Sequence, residues 1–494
     1  MSGEQQQPDG LRLRRAQSET RAEEIHAEER KVRQSQPDKP CHHPRDSLFS
    51  WNSGFDNFTG FINWAFLLLS IGGFRLLLEN FIKYELNCIF ICPDIYSFVP
   101  LLICLIIEKG LASVTLQGFK QNNCSVVSFW QEILATGLGI IAHVSNLLVL
   151  LLIPIVSIYS REGFSLIGAS SVSFVYSLLF LKLWSYVQVN MWCRTKQRQS
   201  KSKNMKRQSH SYSNLQKYNN EQNGHVQDDA DHPDVQLVQY PDNLNLRDLF
   251  YFIAAPTLCY ELNFPRTDRI RKRFLLKRSL EVVLGLQLAF ALMQQYMIPS
   301  VRNSLVPFSN MDVTKATERL LKLAIPNHLV WLLMFYVMFH SFLNLMGEVM
   351  QFADRNFYCD WWNANNIDTF WRTWNMPVHR WAVRHLYIPL VGMRYSKLFA
   401  SIAVFFVSAF FHEYLVSVPL KTFKVWAFMG MMGQIPLSFI SRFMEVKVGP
   451  RWGNVVVWAS LIIGQPLCIM IYYHDYVIQH YGESLIKDYD SLSY

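Results

Sequence analysis

The stretch Ser408–Leu420 reads SAFFHEYLVSVPL and sets a histidine beside a glutamate, His412 and Glu413, inside the apolar run 398–420. About 20 consecutive apolar residues cross the hydrocarbon of a bilayer, so the run is long enough to span one. Ionisable groups at that depth are costly and mark functional sites by default. His143, Lys182 and His340 also fall in apolar runs, so a buried polar group is not by itself a catalyst in this chain. On a helix, His412 shares a face with Phe405, Ser408 and Leu415 or Val416, whereas Glu413 lies about 100° further round. Glu413 therefore has to find its partner on another helix. Two readings of His412 stand at this point: an interhelical hydrogen bond, or a neutral imidazole that takes a proton from a hydroxyl.

The rest of the chain suits a membrane setting. Of 494 residues, 50% are hydrophobic, 14% aromatic and only 17% charged, against about 25% charged in an ordinary soluble protein. The expected fold is an all-α polytopic membrane protein. The net charge of +9 comes largely from two polar regions, which points to topology and anionic headgroups rather than nucleic acid. The nine cysteines form no CxxC pair and no Cys/His spacing, so no metal site is expected. Cys88 and Cys92 are the one close pair, open to a disulfide if their loop faces an oxidising lumen.

Nine spans are expected, near 60–80, 97–117, 131–158, 164–190, 279–300, 328–351, 398–420, 424–443 and 453–474. Residues 1–45 are polar, have no apolar signal-peptide core, and are expected to be disordered and cytosolic. The segment 46–55, DSLFSWNSGF, turns aromatic and could dock on the membrane domain. A basic linker at 191–239, containing CRTKQRQSKSKNMKRQSH, is expected to be disordered as well. Together these give an N-terminal segment with four spans (46–190) and a core with five (240–494). Residues 1–60 hold nine Lys/Arg and 191–278 hold sixteen, both on one side under this count. The positive-inside rule makes that side cytosolic and the C-terminus lumenal. Sequons at Asn57 and Asn123 would then stay unmodified.

The segment between the sixth and seventh spans contains NFYCDWWNANNIDTFWRTWNMPVHRWAVRHLY (356–387). Trp371, Trp374, Asn375 and Val378 follow helical spacing, and Pro377 calls for a helix break or restart there. Headgroup-zone packing explains the tryptophans. It leaves Asp360, Asn363, Asn375, His379, Arg384 and Lys397 unexplained, and cations with aromatic faces suit an adenine-nucleotide phosphate. Gln434 and Gln465 sit alone in apolar helices, either lining the same space as His412 or joining helices. No GxSxG elbow, GxxxxGK[ST] loop, HExxH or His-x4-Asp motif is present, which argues against covalent serine catalysis and ATP hydrolysis.

FYCDWWN (Phe357, Tyr358, Asp360, Trp361, Trp362, Asn363) followed about fifty residues later by SAFFHEYL resembles the membrane-bound O-acyltransferase family. FYxDWWN marks its branch of sterol and diacylglycerol O-acyltransferases. The stretch 240–266, YPDNLNLRDLFYFIAAPTLCYELNFPR, looks like the diacylglycerol version. With RIRKRFLLKR, LLKLAIPNHL and SLIIGQP the likeness covers nearly all of 46–480. It implies transfer of an acyl group from acyl-CoA to 1,2-diacylglycerol, giving triacylglycerol and CoA, in a chamber enclosed by the helices. His412 matches the family's base, Asn375 its partner amide, and Glu413 a supporting group. Acyl-CoA contacts are expected from Trp371, Arg372, Trp374, His379, Arg384, Tyr387, Lys397 and Ser408. Acyl-CoA is a substrate here, and no cofactor is expected. The family also implies an endoplasmic reticulum protein working as a homodimer or homotetramer. A sterol O-acyltransferase is the nearest alternative. A proton-coupled transporter or channel is a distant one, disfavoured by the lack of internal repeats or broken half-helices.

Overall fold

The computed structural model describes residues 98–120, 126–160, 165–214 and 238–491, all within one unit, Ser70–Tyr494. The N-terminal tail, the 46–55 segment, the expected span 60–80, Cys88, Cys92, both sequons and linker residues 215–237 lie outside them.

Apart from one isolated bridge between Arg266 and Phe352, the described residues form helices joined by turns. Helices α1 (Phe98–Lys120), α2 (Val126–Ser160) and α3 (Leu166–Asn214) pack on one another. Then come α4 (Leu246–Ala254), α5 (Lys272–Leu292) and the short α6 (Leu305–Ser309). Helix α5 continues through a π-turn, Met293–Met297, into Ile298–Arg302. Helix α7 (Val313–Phe335) likewise runs through a π-turn at Tyr336–Phe342 into Leu343–Val349. After them lie α8 (Ile367–Trp374) and α9 (Met376–Ala382), the latter extended by a π-turn at Val383–Tyr387 and by Ile388–Gly392. The chain ends with α10 (Lys397–Leu420), α11 (Trp426–Met432), α12 (Gln434–Lys447) and α13 (Pro450–Ser491).

Among the described residues, five stretches are long and apolar enough to cross a membrane: Thr136–Ser160, Leu166–Gln197, Val313–Val349, Lys397–Leu420 and Pro450–Gly482. They correspond to five of the nine expected spans. The expected spans 97–117 and 279–300 are helical but not among those five.

Two expectations need correction. The span 424–443 is not one helix but two, α11 and α12, broken at Gly433. Pro436, in the first turn of α12, has no N–H to return to the preceding turn, so the ladder restarts there. In addition, α3 stays helical to Asn214 through the basic stretch expected to be disordered from residue 191. From Met191 to Asn214 the chain has no Gly or Pro to stop it, and Lys, Arg, Gln and Met are sound helix formers.

The main core joins both halves of the chain. Tyr176, Phe180, Leu183 and Tyr186 of α3 pack with Phe252 of α4, Tyr260, and Tyr414 and Val418 of α10. Two buried charged groups of this half of the chain have partners. Lys182 donates to the carbonyls of Phe252, Ile253 and Ala255 at 2.9, 2.9 and 2.7 Å, closing the C-terminal end of α4. Glu108 of α1 lies 3.0 Å from His143 Nε2 of α2 and 3.0 Å from Arg194 of α3. A second core is aromatic: Phe335, Trp361, Ile367 and Phe370 with Trp331, Trp374 and Val457.

Candidate active site

The face pattern of α10 decides where His412 points. Phe411, Tyr414, Leu415 and Val418 turn to the N-terminal helices. Tyr414 donates to Leu151 C=O at 2.9 Å, and Phe411 lies 5.4 Å from Phe180 ring to ring. Glu413 and Ser417 share a second face, as residues four apart must. His412 projects in the remaining direction. It keeps an exposed ring in spite of its mid-helix position among close neighbours.

The imidazole is oriented by its own helix. His412 Nδ1–H donates to Ser408 C=O at 2.8 Å. A carbonyl can only accept, so the proton sits on Nδ1 and Nε2 carries a free lone pair. That nitrogen is the basic one, and no hydrogen bond engages it among the described residues.

Glu413 finds partners both on its own face and on two other helices. Its Oε1 accepts from Tyr472 O–H of α13 at 2.6 Å and from Ser417 O–H, and its Oε2 accepts from Phe428 N–H of α11 at 3.0 Å. No hydrogen bond joins it to His412.

Asn375 stands between two helices, at φ −140° and ψ 88°, closing α8 and opening α9. Its Oδ1 accepts from Val378 N–H at 3.1 Å, the ordinary N-cap bond. Pro377 follows in the first turn, where its missing N–H costs nothing. The Asn375 NH₂ has no protein partner among the described residues, which leaves two donors for a ligand. No hydrogen bond links Asn375 to His412.

Several expected ligand contacts are packed into protein. Trp374 stacks on Trp331 at 4.6 Å between rings and also packs against Phe335 at 4.8 Å and Phe370 at 5.7 Å. Trp371 packs edge-on against Phe370. Arg384 donates to Tyr260 C=O at 2.9 Å. Arg372 is exposed and reaches Thr369 at 3.2 Å. Lys397 is exposed at the start of α10, and Tyr387 is half-buried. His379 is half-buried on α9, its imidazole held below the usual range by burial and by Arg372 and Arg380.

In the FYCDWWN segment Phe357 and Trp361 are buried, while Asp360, Trp362 and Asn363 are exposed. Phe357 C=O accepts from Met376 N–H at 3.0 Å and Cys359 N–H donates to Thr373 C=O at 2.9 Å, tying the segment along α8. Tyr358 O–H meets His340 Nδ1 at 2.7 Å. Gln465 accepts from the buried Asn327 of α7 at 3.3 Å, which joins α13 to α7. Gln434 begins α12, half-buried.

The sequence singled out neither Tyr472 nor His385. His385 is 2% exposed, with Nδ1 2.6 Å from Gln188 Oε1 and Nε2 2.8 Å from Ser185 Oγ, and it stacks on Trp192. Ser185 Oγ in turn accepts Tyr260 N–H at 2.8 Å. Burial, with Arg384 beside it, lowers the His385 pKa to about 3. Tyr260 O–H donates to Asp248 at 2.5 Å, so the CYELNFPR stretch is a junction between α3, α4 and the helix after Asn375.

The membrane-bound O-acyltransferase family model matches residues 128–474. The chain is 44% identical over 450 residues to diacylglycerol O-acyltransferase 1 of Homo sapiens, covering 89% of this chain and 85% of that one. It is 45% identical over 449 residues to the Bos taurus protein of the same name, covering 89% and 86%. Against diacylglycerol O-acyltransferase 1 of Arabidopsis thaliana it is 45% identical over 233 residues, covering 47% of this chain and 45% of the other. With the family match spanning 128–474, including FYCDWWN and the His412 helix, this chain belongs to the membrane-bound O-acyltransferase family.

Proposed function

We propose that the chain is an acyl-CoA:diacylglycerol O-acyltransferase, making triacylglycerol and CoA. The relatives named for that activity support the reaction and both substrates. The observation that carries the mechanism is His412, with its Nδ1–H spent on Ser408 C=O and its Nε2 lone pair unengaged. Nε2 takes the proton of the diacylglycerol hydroxyl as that oxygen attacks the thioester carbonyl carbon. The tetrahedral intermediate collapses with cleavage of the C–S bond, and the imidazolium returns the proton to the departing CoA sulfur. The free NH₂ of Asn375 supplies donors for the developing oxyanion. Glu413 supports the site without touching the reacting atoms.

The membrane explains the need for such a site. Acyl-CoA brings a charged head to the cytosolic face, where His379, Arg372 and Lys397 are placed to meet it, while diacylglycerol arrives from within the bilayer. The reading carries with it nine membrane passages around a reaction chamber, with α11 and α12 together forming one broken passage, a cytosolic N-terminus, residence in the endoplasmic reticulum and a homo-oligomeric assembly.

The test is an acceptor competition with purified protein in lipid nanodiscs. Radiolabelled oleoyl-CoA is offered with dioleoylglycerol and cholesterol together. Labelled triacylglycerol is the expected product. Cholesteryl ester in its place overturns the acceptor assignment, and no ester from either overturns the enzyme reading.

A further inference from the structure

Glu413 is the neighbour of the proposed base, yet its bonds all lead away from it. Two backbone N–H groups at the start of α11 lack a cap of their own, since Val425 offers no side-chain bond. Ala427 N–H donates to Tyr472 Oη at 3.0 Å, and Phe428 N–H donates to Glu413 Oε2 at 3.0 Å. Tyr472 then donates its own proton to Glu413 Oε1 at 2.6 Å. One phenol and one carboxylate from two different helices thus cap a third, and the phenol is the link that closes the set.

The seat is wider than these two side chains. Tyr472, Asp475 and Gln479 follow i, i+3, i+7 on α13 and so share one face. Asp475 accepts from Trp426 Nε1 at 2.9 Å and lies 3.6 Å from Lys424 Nζ. Gln479 donates to Lys421 C=O at 3.2 Å. This face grips the whole turn from α10 to α11, but only Tyr472 reaches the residue next to His412.

We propose that Tyr472 is a positioning residue for acyl transfer: through Glu413 it fixes the rotation and height of α10, and so the place of His412 Nε2 in the transition state. The proposal rests on the functional reading above. Displacing a reacting group by about 1 Å costs about a hundredfold in rate, and does so without touching either substrate. The signature is therefore a loss in kcat with KM unchanged. A purely structural residue lowers the amount of folded protein instead, or shifts kcat and KM without pattern.

The experiment uses the full chain in nanodiscs, with kcat and KM measured for oleoyl-CoA and dioleoylglycerol. Tyr472→Phe deletes the hydroxyl alone. The expectation is a drop in kcat of about tenfold to a hundredfold, with both KM values within about twofold of the original, an unchanged yield of folded protein and only a small downward shift of the melting profile from the lost cap bond. Asp475→Asn, on the same face and paired with Lys424, Trp426 and His474 but not with Glu413, is expected to leave kcat unchanged. Full kcat in Tyr472→Phe overturns the proposal, as does an equal loss in Asp475→Asn. Should Tyr472→Phe not yield monodisperse protein, Glu413→Gln probes the seat from its other end. In either amide orientation one acceptor oxygen becomes an NH₂, so Phe428 N–H or Tyr472 O–H loses its acceptor, and unchanged kcat there overturns the proposal too. An inactive unsubstituted protein would sink the functional reading first, so the two failures are distinguishable.

Discussion

Replacing His412 by alanine separates chemistry from folding, and the structure sets both magnitudes. Among the described residues the ring makes one hydrogen bond, Nδ1–H to Ser408 C=O, and it belongs to none of the buried cores. Deleting that bond costs about 0.5–1.5 kcal/mol net. Ser408 C=O keeps its place in the helix ladder, so no buried acceptor is orphaned. Loss of a general base costs about 10²–10⁴-fold in rate, which converts to about 3–5 kcal/mol of transition-state stabilisation at 1.36 kcal/mol per decade. The catalytic cost should therefore exceed the structural one several-fold. The assay is triacylglycerol formation from oleoyl-CoA and dioleoylglycerol in nanodiscs, beside thermal unfolding followed by size-exclusion chromatography. Near-background turnover from a protein with an almost unchanged melting profile is the expected result. Retention of more than about a tenth of the activity would refute the base assignment. A collapsed melting profile would show that the ring holds the fold.

Asn375 performs two tasks that two variants can divide: Asn375→Asp keeps the helix cap and loses the N–H donors, whereas Asn375→Ala loses both. Turnover should fall in each, with a further stability loss of about 1 kcal/mol only in the alanine protein; full activity in Asn375→Asp would remove the donors from the mechanism. Glu108→Ala leaves Arg194 buried without its carboxylate, a loss of about 3–5 kcal/mol in thermal unfolding. Replacing both residues by Met should recover much of that, and no recovery would show that the pair is not the unit that matters. His385 gives a pH signature. Its folded pKa is lowered to about 3, below about 6.5 for the unfolded chain. Above pH 6.5 both states are neutral and nothing is lost; as pH falls below it the unfolded chain binds the proton first and stability declines towards pH 3. At pH 5 the decline is on the order of 2 kcal/mol, and His385→Asn should remove it; an identical pH slope in that variant would refute the assignment.

The legible part of the site was the part written in one helix. The run 398–420 announces a span because a bilayer demands a continuous apolar stretch, and α10 occupies Lys397–Leu420. The 100° step between His412 and Glu413 already required a partner for Glu413 elsewhere, but only the fold could name Tyr472, 59 residues on. Pro377 marked the restart after Asn375 for a local steric reason, and Pro436 marked an equally local break that hydropathy averaged away. Trp374 was opaque in another way. Aromatic composition cannot distinguish a ring that stacks on a ligand from one that stacks on Trp331, because the same surface chemistry serves both. His385 was hidden because its side-chain hydrogen-bond partners lie about 200 residues earlier, on α3.

The seat of Glu413 has a consequence for how the protein is made. At about 5–20 residues per second of synthesis, a carboxylate whose partner lies 59 residues downstream waits about 3–12 s for it. Over that interval Glu413 has only Ser417 of its own helix and then the Phe428 N–H to bond, and an incompletely bonded acid within the bilayer is expensive. Lingering of α10 at the insertion machinery until α13 arrives would spare the acid that interval. Completion of the acid's hydrogen bonds is the last event in building this site, so a chain halted before Tyr472 carries His412 without the framework that aims it.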